Sequence, residues 1–294
     1  MTQASDILIL GHRGFIGSRL LEQFKKSRPG AIVRGFSGRD LDLTSHSQTM
    51  GLIPYLKLSS VVVICSGIKG AVDNSPSAFR ANIEMAINLL ALFKKQRVRK
   101  VVYFSSASVY GEDRHLIGIT EQTPVNPISY YGISKYSSER LFQRAFSGEE
   151  QPELLLLRPS IVYGPGNHNE GYRPSGFARA ALAGGSIWIW GDGLEKRDFI
   201  YIDDLVELVD RLIDHPFQGV LNIASGEPQS YRMLAECTVA LLDRPVTLRH
   251  RPRTGVRVDQ TFSVEMLQKI IPDYRMTIPK EGIRRTVEYV KQHG

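Results

Sequence analysis

Cysteine is nearly absent from this 294-residue chain: Cys65 and Cys237 are its only two. Two thiols cannot build a disulfide framework or, unaided, a cysteine zinc centre, so no metal site is expected and a reducing, cytoplasmic setting is. Long apolar runs are absent too. None reaches the length that a bilayer requires, which excludes a helical membrane span from the expectations. The first residues are polar and lead straight into a strand, with no sign of a signal peptide. There is no internal repeat and no low-complexity tract. Acidic residues number 30 against 37 basic ones, giving a formal net charge of +7. The basic residues are scattered, apart from a short cluster at Lys94–Lys100, and no aromatic–basic pattern of a nucleic-acid reader accompanies them. The balance fits attraction for phosphorylated small molecules, and no nucleic-acid partner is expected.

What is present begins with the apolar run Ile7–Leu10, followed by Gly11, Gly14 and Gly17 and then by a helical pattern from Phe15. This order predicts a buried strand, a tight turn and a helix. Glycines at that spacing let the backbone turn sharply, approach a ligand closely and pack the helix on its strand, while the helix N-terminus offers free N–H groups to a diphosphate. The plainer alternative is a strand-to-helix turn that happens to contain glycines.

Further strands are expected at Ala31–Phe36, Val61–Cys65, Lys100–Phe104 and Leu154–Arg158. Helices are expected at Ser45–Leu56, Ser77–Gln96 and Tyr130–Phe146, and a loop at Glu112–Ser129 with its two prolines. Strands alternating with helices predict an α/β, doubly wound parallel sheet. Residues Ile161–Ser175, rich in Gly, Pro and Asn, mark a change of organisation. Beyond them, strands are expected at Ile187–Trp190, Phe199–Ile202 and Val220–Ala224. Helices are expected at Phe177–Ala183, from Asp203 to Ile213, at Tyr231–Leu242 and at Pro279–Gln292.

An acid that binds the ribose hydroxyls of NAD stands about 20 residues beyond the glycine turn. Counted from Gly17, that position is Ser37, and no acid occurs before Asp40. Arg13 lies inside the glycine turn and Arg39 beside Asp40. Two guanidinium groups and a hydroxyl suit a 2′-phosphate, so NADP is expected over NAD. In the alternative, both arginines are solvated and Asp40 holds the ribose. Asp42 and Leu43 fall near the adenine edge.

A second constellation is Tyr131-Gly-Ile-Ser-Lys135. Residues four apart share a helix face, and a neighbouring lysine favours the phenolate. Tyr131 is thus a candidate proton donor and acceptor for an alcohol/ketone pair, expected to have a lowered pKa; Tyr130 has the wrong spacing. A third constellation, Ser105, Ser106 and Ser108, follows the strand Lys100–Phe104. Ligands lie at the carboxyl ends of such strands, but these three serines cannot be separated by residue type alone.

Together these residues resemble the extended short-chain dehydrogenase/reductases, in particular the nucleotide-sugar epimerase/dehydratase family. The resemblance runs through Gly11–Gly17, Asn82, Ser105–Gly111, Tyr131–Lys135 and Arg158–Pro165. It continues through Gly191–Gly193, Arg197–Asp204, Asn222–Gly226 and Arg251–Arg257. It implies a Rossmann-type fold with a smaller C-terminal α/β substrate domain. Residues 1–165 would form the NAD(P)-binding domain, with 199–224 returning to it, and 166–198 and 225–294 would bind substrate. It further implies Ser106, Tyr131 and Lys135 as the catalytic trio. The implied cofactor contacts are Gly11, Arg13, Gly14, Phe15, Ile16, Gly17, Ser37, Arg39, Asp42, Leu43, Cys65, Ser66, Gly67, Asn82, Tyr131, Lys135 and Ile161. Substrate would meet Ser106, Ser108, Tyr131 and Ser160, with Arg197 and Arg257 at its diphosphate. A homodimer formed through the helices at 77–96 and 130–146 is also implied.

Departures from the family pattern narrow the reaction. Nucleotide-sugar dehydratases carry an Asp-Glu pair where this chain has Ala107 and Ser108, so water elimination is not expected. The opening Gly-His-Arg-Gly and the Arg39 loop resemble the NADPH-dependent GDP-fucose synthases. The Cys and His with which those enzymes epimerise the sugar ring fall here at Ser108 and near Gly176 or Phe177, so that double epimerisation is not expected; His168 is the nearby alternative, though a loop histidine is more often solvated. The expectation is hydride transfer at sugar C4, by an NADPH-dependent 4-keto-sugar reductase. The alternatives are a 4-epimerase that retains its cofactor, and a catalytically idle NADP-sensing or scaffold protein.

Overall fold

The computed structural model describes residues 6–148, 150–167, 174–253 and 255–293. In chain order they form β1 (Asp6–Leu10), α1 (Phe15–Ser27), β2 (Ile32–Phe36), α2 (His46–Met50), β3 (Val61–Ile64), α3 (Pro76–Lys95), β4 (Lys100–Phe104) and β5 (Leu116–Ile119). Next come α4 (Tyr130–Ala145), β6 (Glu153–Pro159), β7 (Ile161–Tyr163), α5 (Pro174–Gly184), β8 (Ser186–Trp190), β9 (Lys196–Arg197), β10 (Phe199–Tyr201) and α6 (Ile202–Leu212). The last are β11 (Gly219–Ile223), β12 (Gln229–Ser230), α7 (Tyr231–Ala240), β13 (Thr247–Arg251), β14 (Gln260–Phe262), α8 (Glu265–Ile270) and α9 (Pro279–His293). Two units divide the chain. The first holds residues 1–112, 122–159 and 206–221; the second holds 113–121, 160–205 and 222–294.

The first unit is built on a six-stranded sheet in the order β11-β6-β4-β3-β1-β2. β1, β3 and β4 are buried along their whole length, as the unbroken Val/Ile/Leu runs require of strands covered on both faces. The pairs β1–β2, β1–β3, β3–β4 and β4–β6 are all parallel. This is the doubly wound arrangement. Its crevice lies where the order reverses, beyond the carboxyl ends of β1 and β3. The helix expected over 45–56 is split: Pro54 cannot donate within a helix, and a 3-10 turn at Ile53–Tyr55 follows the short α2.

The second unit contains a four-stranded sheet in the order β12-β9-β14-β5 and two parallel pairs, β10–β7 and β13–β8. β5 corrects the expectation of an uninterrupted loop over 112–129. It forms because β14, far along the chain, pairs with it from Gln260 to Phe262. α8 and β13 were likewise not anticipated.

The glycine bend is set by close backbone approach. Gly11 has φ +92°, and a Cβ there would stand 2.9 Å from the Ser66 nitrogen. A Cβ on Gly17 would stand 2.3 Å from the Gly11 carbonyl oxygen. Gly17→Ala is therefore expected to lower stability by about 1–3 kcal/mol, the cost of overpacking against backbone. At Gly38 a Cβ meets nothing within 4 Å, and Gly38→Ala is expected to be neutral. Chemical denaturation of both variants tests the difference; equal stabilities would contradict the packing described.

Candidate active site

α1 opens at Gly14 with no acidic residue in its first turn, so nothing of the helix's own opposes an anion there. The Gly11 nitrogen donates to the Phe36 carbonyl at 2.7 Å, and the Gly14 nitrogen to the Gly11 carbonyl at 2.9 Å. These bonds hold the bend while the first amides of α1, at Phe15, Ile16 and Gly17, head the helix. Cys65 and Ser66 close against Gly11 from the end of β3. Backbone packed this closely at Gly11, Gly14 and Gly17, ahead of a helix N-terminus without an acidic residue, fits a dinucleotide diphosphate.

Beyond β2, Ser37 is engaged. Its nitrogen and its hydroxyl both donate to Asp40 Oδ2, at 2.8 and 2.7 Å. These bonds hold the Asp40 carboxyl below its ordinary range, and the nearby Arg13 adds to the effect. Arg13, Arg39 and Asp40 are exposed together. Asp42 accepts from the Thr44 nitrogen and hydroxyl, while buried Leu43 gives its carbonyl to Asn88.

The carboxyl end of β4 and the start of α4 carry the second part of the site. Ser129 caps α4 through the Gly132 nitrogen, and Asn74 accepts from the Tyr131 nitrogen at 3.1 Å. Three consecutive residues then meet three helix positions spaced by four. The Ser106 hydroxyl faces the Tyr131 phenol and favours its ionised form. The Phe104 carbonyl accepts from Lys135 Nζ at 2.7 Å. Ser105 donates to Glu139. This separates the serines: Ser105 is buried and spent on Glu139, while Ser106 faces Tyr131 and also accepts from the Ser108 nitrogen at 3.1 Å.

The electrostatics correct one expectation. Burial pushes the Tyr131 phenol above its ordinary value; the Ser106 hydroxyl pulls it back, and the Glu112 carboxylate adds to the rise. The Lys135 ammonium is aimed at Phe104 and lies 4.8 Å from the Tyr103 ring centroid and 5.8 Å from that of Tyr131. Burial also pulls Lys135 down to about 8. A Cβ on Gly67, which has φ +151°, would stand 3.4 Å from Lys135 Nζ. Asn82 exchanges both bonds with the Ile68 backbone and donates to Ser134, so it pins the loop after β3 to α4.

In the second unit, Ser160 donates to the buried Asp198, which also accepts from Ser225 and Gly226. Ile161 pairs with Phe199. Arg197 grips Glu195 through two nitrogens, at 3.0 and 2.6 Å, and Arg253 reaches the same carboxylate at 2.6 Å. Arg257 instead pairs with Asp259. Arg253 and Asp198 were missed in the sequence, where one lies in a basic segment and the other beside Arg197 without a distinguishing neighbour. Trp188 and Trp190 alternate along β8, and the Arg251 guanidinium lies 4.8 and 5.9 Å from their rings. Gly176 and Phe177 are buried in α5, and His168 lies outside the described residues. Among the described residues no group of His, Cys, Asp or Glu could hold a metal ion, and no helix is long and apolar enough to cross a membrane.

Residues 7–224 match the model of the NAD dependent epimerase/dehydratase family. A UDP-glucose 4-epimerase from Mycolicibacterium smegmatis is 28% identical, over 97% of this chain and 98% of its own. A dTDP-4-dehydro-6-deoxy-D-allose reductase from a Streptomyces species is 27% identical, over 98% of this chain and 96% of its own. The solved structure of MoeE5 in complex with UDP-glucose and NAD is 27% identical and has a TM-score of 0.83, covering 98% of this chain and 99% of that one.

Two substitutions should move the Tyr131 ionisation in opposite directions. Ser106→Ala removes the hydroxyl that favours the phenolate and should raise it; Glu112→Gln removes the opposing charge and should lower it. Ultraviolet titration of tyrosinate, with Tyr131→Phe as the subtraction control, reads both. Shifts of the same sign would overturn this account of the phenol.

Proposed function

The chain belongs to the NAD dependent epimerase/dehydratase family, and from that premise we propose an NADPH-dependent enzyme that reduces a 4-keto nucleotide sugar at C4. The observation that carries the reading is Lys135, one turn along α4 from Tyr131, donating to the Phe104 carbonyl at 2.7 Å beside the Ser106 and Tyr131 hydroxyls, at the carboxyl end of a strand in a doubly wound sheet. A nicotinamide dinucleotide, when bound, supplies the hydride. The chain's own residues do the rest. Gly11, Gly14 and Gly17, with the first amides of α1, receive its diphosphate. Ser106 and Tyr131 bind the sugar oxygen, and Tyr131 delivers the proton that the oxygen needs as it becomes a hydroxyl. Lys135 holds a positive charge against the rings of Tyr103 and Tyr131 and is proposed to hold the nicotinamide ribose.

For the substrate diphosphate, Arg197 and Arg257 are the proposed pair, with Arg253 beside Arg197 on Glu195 as a third cation of the same segment. The Trp188–Trp190 face with its arginines suits a planar base. NADP preference rests on exposed Arg13 and Arg39 around Asp40. A homodimer through α3 and α4, in a cytoplasmic setting, completes the reading.

The 4-epimerase reading has its own support in the Mycolicibacterium smegmatis relative. An idle scaffold would have no use for a phenol set beside Ser106 and Lys135. A reductase consumes NADPH in step with product; a 4-epimerase converts substrate with no added coenzyme. Tyr131→Phe is expected to lower kcat by about 10²–10⁴-fold, the usual worth of a positioned proton donor, while coenzyme affinity stays nearly unchanged. Equal activity in that variant would remove Tyr131 from the mechanism. Replacing Arg13 and Arg39 together by Ala should raise KM for NADPH by about tenfold or more, as loss of charged hydrogen bonds implies, and leave KM for NADH as it was. A wild-type preference for NADH would refute the NADP assignment.

A further inference from the structure

Glu139 and Arg158 form a fully enclosed ion pair, 0% and 4% exposed. Arg158 is bidentate: Nε donates to Oε1 at 2.9 Å and Nη2 to Oε2 at 2.6 Å. Its remaining terminal nitrogen donates to the Tyr110 hydroxyl at 3.0 Å. Glu139 Oε1 also accepts from Ser105, whose own nitrogen donates to the Leu157 carbonyl at 2.8 Å, continuing the ladder between β4 and β6. Taking two charges out of water is costly, and apolar side chains of the same volume often hold a helix to a sheet as well or better. The placement of the pair is therefore informative. Glu139 lies one helical turn beyond Lys135, and its anchor, Ser105, stands between the residue that binds Lys135 and the residue that faces Tyr131.

We propose that Glu139 and Arg158 are positioning residues for the reaction assigned above: through Ser105 they fix the end of β4 that carries Ser106, and Glu139 sets its charge one turn along α4 from Lys135. The inference rests on that functional reading. Arg158 holds both oxygens of the Glu139 carboxylate and fixes its orientation. Around Lys135 the other groups are Cys65 at the end of β3, Lys69 in the loop that follows, and the rings of Tyr103 and Tyr131. Burial and Lys69 disfavour the ammonium, while Cys65 and Glu139 favour it. Removing the Glu139 charge must then move the Lys135 ionisation to lower pH.

The test uses the full-length protein and two variants, Glu139→Gln and Ser105→Ala. The Lys135 ionisation is followed by NMR of lysine carrying ¹³C at Cε, assigned with Lys135→Met, and steady-state kinetics are measured across pH. Glu139→Gln is expected to shift the Lys135 titration to lower pH. It should also cut kcat by about tenfold or more, as small displacements of catalytic groups do, with KM for the nucleotide sugar within about threefold of wild type. Ser105→Ala is expected to lower kcat while leaving the Lys135 titration in place. A folded Glu139→Gln protein whose Lys135 titrates as in wild type would overturn the proposal, as would a wild-type kcat in both variants. Where Glu139→Gln alone fails to fold, the double variant Glu139→Gln, Arg158→Met leaves no buried charge unpaired, and its Lys135 titration decides in the same way. The titration needs no turnover. A wild-type protein idle on every nucleotide sugar would refute the functional reading and leave the titration to judge this one.

Discussion

One face of α4 governs the site. Tyr131, Lys135 and Glu139 recur every four residues, so they stack along a single line of the helix. Each meets one residue of the stretch Phe104–Ser106: the phenol faces Ser106, the ammonium donates to the Phe104 carbonyl, and the carboxylate accepts from Ser105. A helix so fastened cannot rotate or slide without breaking both bonds. Its neighbours show the same constraint. A Cβ on Gly132 would stand 2.9 Å from the Ser108 carbonyl oxygen, and one on Gly70 would stand 2.9 Å from Tyr131 Cβ. Little room is left between the loops and the helix that carries the phenol.

Charge inside this face is handled by pairing rather than by exposure. Arg158 neutralises Glu139, while Lys135, with a buried ammonium, is drawn down to about 8. Tyr131 goes the other way, pushed up by burial and by Glu112 against the pull of Ser106. Ala107 and Ser108 offer no carboxyl groups for elimination of water.

Much of this was legible in the sequence because it is local. The glycine bend follows from three glycines between an apolar run and a helical pattern, and the Tyr131–Lys135 pair from helix periodicity. What was not legible depends on partners distant in the chain. β5 exists only because β14 reaches it from Gln260–Phe262. Ser106 is distinguished from Ser105 by which residue of α4 each one meets. Arg253 stands out from Arg257 only when Glu195 is seen to draw it beside Arg197. The direction of the Tyr131 ionisation was misjudged because spacing reports a neighbouring lysine but not the depth of burial or the Glu112 carboxylate.

The central claim, that this helix face delivers a proton where a coenzyme at the glycine bend delivers a hydride, is tested most directly by isotope transfer. Protein incubated with a 4-keto nucleotide sugar and NADPH deuterated at the nicotinamide C4 should yield a sugar carrying one deuterium at C4, read by mass spectrometry and NMR. A product without deuterium at that carbon, formed at the full rate, would contradict the account.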